Sequence, residues 1–171
     1  TGDDYWQAPV SYPKGVTEVE RINDVTGAPI LVGAEACTAT FQGRIGCFDA
    51  NSGRPIWEQP FSSTTGVAQD GTTVVSSDDW SVAQAFSASD GHVLWRNDKL
   101  KNRDLSVPLL LGPSAVFGDY KGFVHFLSRD DGSFVARVPT DGSRIGAAPV
   151  VAGDTLIVQT KDGELFGFRP R

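Results

Sequence analysis

The chain has 171 residues, 40% of them apolar, which is enough to bury a core in one domain. Its 19 Gly and 10 Pro favour turn-rich β structure over helix. The net charge of −6 lacks the footprint of nucleic-acid binding, and no apolar run approaches the roughly 18–20 residues of a membrane helix.

The chain starts at Thr1, contains no Met and shows no secretory leader pattern, so a fragment or processed chain is expected. Thr1-Gly2-Asp3-Asp4-Tyr5-Trp6 reads as the tail of a repeat, with residues 5–11 expected as an outer strand. The first full unit follows, with strands predicted at 28–33, 35–41, 44–49 and 55–61. It ends in Asp49-Ala50-Asn51-Ser52-Gly53-Arg54-Pro55-Ile56-Trp57. The same tail returns as Ser87 to Trp95 around Gly91, and as Ser128 to Ala136 around Gly132, where Ala replaces Trp. Gly53 to Gly91 is 38 residues and Gly91 to Gly132 is 41.

Two further markers keep register. Ala28-Pro29, Val107-Pro108 and Ala148-Pro149 each open an apolar run, and the unit between 65 and 97 has Gly66-Val67 instead. A tight turn follows at Gln42-Gly43, Asp78-Asp79, Lys121-Gly122 and Asp162-Gly163. The last three strands are predicted at Ala147–Val151, Asp154–Gln159 and Glu164–Phe168. Repeats near 40 residues with four short strands each predict an all-β fold, a β-propeller of four-stranded blades. The units are 1–12, 27–61, 65–97, 105–139 and 146–169, about four blades in one partial propeller. Trp57 and Trp95 sit early in the outer strand and are expected to pack on the neighbouring blade.

The Asp-x-x-x-Gly-x-x-x-Trp unit resembles the repeat of quinoprotein-like propellers. Thr17 to Val25, the Ala28-Pro29 opener, Gly118 to His125 and Gln159 to Gly163 are more closely similar to the BamB family. These are lipoproteins of the bacterial outer-membrane β-barrel assembly machinery, and the resemblance spans essentially the whole chain. It implies the C-terminal half of an eight-bladed ring. It also implies a non-catalytic scaffold in the periplasm, on the inner face of the outer membrane and lipid-anchored in the full-length protein. The implied partners are the POTRA domains of the insertase BamA, together with unfolded outer-membrane proteins. No cofactor and no metal are expected.

The candidate partner-binding residues are Glu20, Arg21, Asp24, Thr26, Arg103 and Arg144. Residues 13–26 form an insertion, since Gly2 to Gly53 is 51 residues, and its Glu18, Glu20, Arg21 and Asp24 suit charge-assisted contacts. The family pattern has two acidic residues spaced by two here; Asp24 matches the first and Thr26 replaces the second. The bland alternative is a solvated loop. Asp24, Arg103 and Arg144 each lie five residues before a marker Pro, at the mouth of the propeller channel. They either recognise a partner or form ion pairs between blades.

Cys37 and Cys47 flank the Gln42-Gly43 turn. A loop centred on residue 42 sets them opposite, as a possible disulfide, whereas a two-residue turn points them to opposite faces. Asp78-Asp79 and Asp130-Asp131 read as turn residues, not a calcium loop. His92 and His125 join no catalytic constellation. The rival class is a fragment of a quinoprotein dehydrogenase, against which stands the lack of adjacent cysteines; another ligand-binding periplasmic propeller is the third reading. Because an eight-bladed packing angle leaves half a ring open, the fragment is also expected to form a homodimer that closes the ring.

Overall fold

The computed structural model describes residues 2–11, 24–25 and 27–169, with 24–25 described for backbone alone. It is all-β, with no helix among these residues. The first blade contains β1 (Asp24–Val25), β2 (Ile30–Val32), β3 (Glu35–Phe41), β4 (Arg44–Asp49) and β5 (Pro55–Pro60). β1 and β2 both pair with β3, so they form one interrupted innermost strand. The second blade is β6 (Val67–Gln69), β7 (Thr73–Ser77), β8 (Ala83–Ser87) and β9 (Val93–Asn97). The third is β10 (Leu109–Leu111), β11 (Ser114–Gly118), β12 (Phe123–Ser128) and β13 (Phe134–Pro139). The fourth sheet holds β14 (Val150–Ala152), β15 (Thr155–Gln159) and β16 (Leu165–Phe168). All pairings are antiparallel and, apart from that of β1 with β3, join sequence neighbours, as short hairpins dictate.

Residues 2–11 form no strand, contrary to the expectation for 5–11. A strand is held by bonds to a neighbour, and these residues pair with none among those described. Trp6 nevertheless takes the docking position of an outer-strand tryptophan, as shown below.

The apolar cores lie between sheets. Ile45, Cys47, Trp57 and Phe61 of the first blade pack on Val67, Val74 and Phe86 of the second. Val75, Ala85 and Trp95 pack on Leu105, Phe117 and Leu127 of the third. Val116 and Val124 pack on Ile145, Leu156 and Val158 of the fourth. Successive blades therefore stack face to face.

The repeated tail is the staple between blades. Trp57 Nε1 donates to the carbonyl of Ala88 at 2.6 Å, and Trp95 Nε1 to that of Arg129 at 2.6 Å. Trp6 Nε1 donates to Ala50 at 2.9 Å. Each indole lies on the glycine of the next turn: a Cβ built on Gly91 would sit 2.3 Å from Trp57 Cε3, and one on Gly132 2.5 Å from Trp95 Cε3. Gly91 and Gly132 also have φ of 75° and 71°, so the turn and the indole demand glycine together. Two residues beyond the Trp, an amide completes the staple. Gln59 Nε2 donates to Gly91 O at 2.9 Å and Asn97 Nδ2 to Gly132 O at 2.6 Å.

In three blades the register of the outer strand slips by one residue, opposite Cys47/Phe48, Ala85/Phe86 and Phe126/Leu127. The extra residues are Ile56, Leu94 and Val135, all exposed. Each immediately precedes the Trp or Ala position. A bulge sharpens local twist and re-aims the following side chain, here toward the next blade.

Candidate functional site: the polar mouth of the blades

At one end of the blades, each hairpin turn meets the loop that links two sheets. Asp79 N–H bonds Ser62 O at 3.2 Å, Tyr120 N–H bonds Arg103 O at 3.1 Å and Lys161 N–H bonds Arg144 O at 2.8 Å. Arg103 and Arg144 thus hold equivalent backbone positions. Their side chains do not. Arg103 turns inward to Asp119 of its own blade at 2.6 Å. Arg144 reaches Asp104 of the preceding linking loop at 3.0 Å. Asp24 is placed on β1, opposite Phe41. Glu18, Glu20, Arg21 and Thr26 lie outside the described residues.

Two polar hollows open at this end and share Thr64, Thr65, Asp104 and Leu105. One, of about 270 Å³, is lined by Ser77, Asp78, Asp79, Ser81, Asn102 and Asp104 among others. The second, of about 450 Å³, includes Ser106, Arg144 and Gly146. Leu100 and Leu105, both buried, anchor the loop that separates the second and third blades. Its Asn102 and Asp104 have φ of 61° and 47°, and Ser81 across the hollow has φ of 63°. Short polar side chains tolerate this left-handed backbone better than bulky ones do.

Beneath the mouth lies a buried charge network. Asp119 is inaccessible to solvent. Its Oδ1 accepts the backbone N–H groups of Lys121 and Phe123, both at 2.9 Å. Its Oδ2 accepts Arg103 at 2.6 Å and His125 Nε2 at 2.8 Å. Burial opposes the charge on Asp119, but the bonds from His125, the Phe123 N–H and Arg103 outweigh it and hold the carboxyl down at about 2. An ionised carboxylate only accepts, so His125 Nε2 carries the proton in this bond. His125 Nδ1 is buried without a partner among the described residues. Arg103 and Arg137 flank the Phe123 ring, with guanidinium carbons 5.9 and 4.7 Å from its centroid. Among the described residues no thiol or hydroxyl bonds His125. His92, on another blade, pairs with exposed Asp90.

The register centres the first hairpin on residue 42, setting Cys37 opposite Cys47 with Cα atoms 4.1 Å apart and the sulfurs joined as a disulfide. Glu35 lies near both sulfurs, and burial raises its carboxyl. Bonded sulfurs offer no thiolate, so this trio holds no metal in the oxidised protein. Asp78 and Asp131 spend an oxygen each on backbone N–H groups, as turn residues do.

The sequence pattern did not mark Asp119, His125, Asp104 or Trp80 as members of one end of the fold. Gly118-Asp119 two residues before a Gly turn, and Arg103-Asp104 before Val107-Pro108, were the available signals.

The family described as outer membrane protein assembly factor BamB matches residues 1–97 and 81–171. The outer membrane protein assembly factor BamB of Burkholderia pseudomallei is 71% identical over 171 residues, covering 100% of this chain and 45% of that protein. The crystal structure of BamB from Moraxella catarrhalis superposes with a TM-score of 0.84 at 29% identity, over 91% of this chain and 46% of that one. The chain therefore spans about half the length of the relatives it matches. Quinohemoprotein alcohol dehydrogenase from Comamonas testosteroni gives a TM-score of 0.70 at 14% identity, over 91% of this chain and 30% of that one, a likeness of fold alone.

Proposed function

The chain belongs to the family of the outer membrane protein assembly factor BamB, and from that premise we propose that it is part of a non-catalytic periplasmic scaffold of the outer-membrane assembly machinery. The scaffold is lipid-anchored in the full-length protein, binds the POTRA domains of BamA and helps organise unfolded outer-membrane proteins. The observation that carries this reading is the match across both halves of the chain. The mouth supports it, because it presents polar loops on a stack of sheets.

The partner surface in this reading includes Asp24, with Glu20, Arg21 and Thr26 beside it. Arg103 and Arg144 contribute less, because each is already paired inside the molecule. Truncating one member of a buried interfacial charge pair costs roughly 2–5 kcal/mol. Asp24→Ala in the full-length protein is therefore expected to weaken binding to isolated POTRA domains at least about tenfold. Calorimetric titration measures it; unchanged affinity with an intact circular-dichroism spectrum removes Asp24 from the interface. An absorbance scan of the same sample for bound quinone tests the dehydrogenase reading.

For the isolated chain, the reading extends to a homodimer that closes an eight-bladed ring. In support, β16 has no further strand beside it among the described residues, and Val150, Val151 and Leu165 are exposed on the same sheet. Light scattering at micromolar concentration is expected to give about twice the 18.3 kDa chain mass. A mass near one chain rejects the dimer.

A further inference from the structure

The smaller hollow at the mouth has a composition that asks for a guest. Asp78, Asp79 and Asp104 line it, and no Lys or Arg does among the described residues. Asp104 is offset by Arg144 from the side of the second hollow. Asp78 Oδ1 and Asp79 Oδ2 are bonded to backbone and to Ser62, which leaves each carboxylate a second oxygen. A second, independent feature points the same way. Ser81 is only 5% exposed, lines the hollow, and its hydroxyl makes no hydrogen bond among the described residues. Its hydroxyl is held at the wall of the hollow without a partner there, and so is free to donate to or accept from a guest.

Trp80 stands on the same turn, between lining residues Asp79 and Ser81, and is 64% exposed. The three other tryptophans dock on the glycines of neighbouring turns; this one docks on no glycine among the described residues. Its ring already attracts a cation, Lys101 Nζ, at 5.7 Å from the centroid. Its backbone carbonyl is fixed by the Asn102 N–H at 2.8 Å, so the aromatic stands on a held turn. Tryptophan is among the side chains enriched at the anchoring points of protein interfaces.

We infer that this hollow is a docking site for an arginine side chain presented by a loop of a partner protein, with Trp80 as the rim contact. A cation relieves the repulsion of the carboxylates when the hollow loses water. Arginine fits better than lysine, because its planar fork serves two carboxylates and the Ser81 hydroxyl at once. The hollow, at about 270 Å³, is far larger than a bare metal ion. A sugar would leave the carboxylates without a counter-charge. The site involves different blades from the Asp24 loop and stands or falls apart from it.

The test is a nitrogen-15 NMR titration of the full chain with a blocked pentapeptide, arginine at its centre and glycine elsewhere. Trp80→Phe assigns the Trp80 indole resonance. The expected result is a saturable shift of that indole and of the Ser81 and Asn102 amides, weakened by salt. The pair Asp78→Asn and Asp79→Asn keeps the acceptor oxygens of the turn and removes the charge; it should weaken binding about tenfold. Ser81→Gly keeps the left-handed backbone and removes the hydroxyl; it should weaken binding about threefold. Asp98→Asn, outside the hollow, should change nothing. Absence of a shift overturns the proposal. So does an equal shift from the same peptide with glutamine, from calcium chloride alone or from maltotriose, which would make the hollow a neutral-peptide, metal or sugar site.

Discussion

Replacing Trp95 with alanine is expected to destabilise the chain by about 3–5 kcal/mol, the range for a large aromatic removed from a core. The indole is 6% exposed and belongs to the core shared by the second and third blades. Its removal opens a cavity against Gly132 and withdraws the bond to Arg129 O. The bulged neighbour Leu94 provides the control: it is exposed, so Leu94→Ala should stay within about 0.5 kcal/mol. The reciprocal change, Gly132→Ala, forces a methyl to 2.5 Å from the ring at a φ of 71°, and overpacking of this kind costs about 1–3 kcal/mol. Combining Trp95→Ala with Gly132→Ala should cost less than the sum, since the methyl then enters vacated space. Urea unfolding of the four variants and the wild type measures this. A loss below about 1 kcal/mol for Trp95→Ala, or strict additivity of the pair, would show that the staple does not hold the blades together.

What the sequence made legible was what local chemistry writes. Glycine at Gly53, Gly91 and Gly132 is demanded by the turn itself, so the period of the blades could be counted. The strand at 35–41 and that at 44–49 match the structure because turn and alternation agree there. The disulfide geometry depended on which residue centres the turn, and Gln42 at a φ of 54° decides it. Residues 2–11 carry the tryptophan of an outer strand, yet strand pairing is a property of a neighbour and not of the segment. The mouth was legible in position and not in pairing. Arg103 and Arg144 align in sequence, but Asp119 lies 16 residues after Arg103 and Asp104 lies 40 before Arg144. Such separations are set by blade stacking. Trp80 was missed for a simpler reason: the unit that contains it lacks the Pro opener and has Asp78-Asp79 in place of a Gly turn, so nothing in the repeat marks it.

Asp119→Ala is expected to destabilise the chain by about 3–5 kcal/mol, because it strips the partner from buried His125 and from Arg103. It also leaves the Lys121 and Phe123 N–H groups unmet. Asp119→Asn should cost less, since an amide oxygen still accepts those two bonds while the charge is gone. The pH dependence separates charge from shape. The carboxyl titrates at about 2 in the folded protein against an ordinary value of 3.8. Its stabilisation is therefore complete above about pH 4 and is lost as pH falls through 2. The difference corresponds to about 2 kcal/mol. Other carboxylates, Asp70 among them at about 2, titrate in the same window, so the informative quantity is the gap between wild type and Asp119→Asn. That gap should narrow by about 2 kcal/mol between pH 5 and the acid limit, read from urea midpoints at each pH. A gap that stays constant across the window would mean that Asp119 acts through its hydrogen bonds alone, with no contribution from its charge.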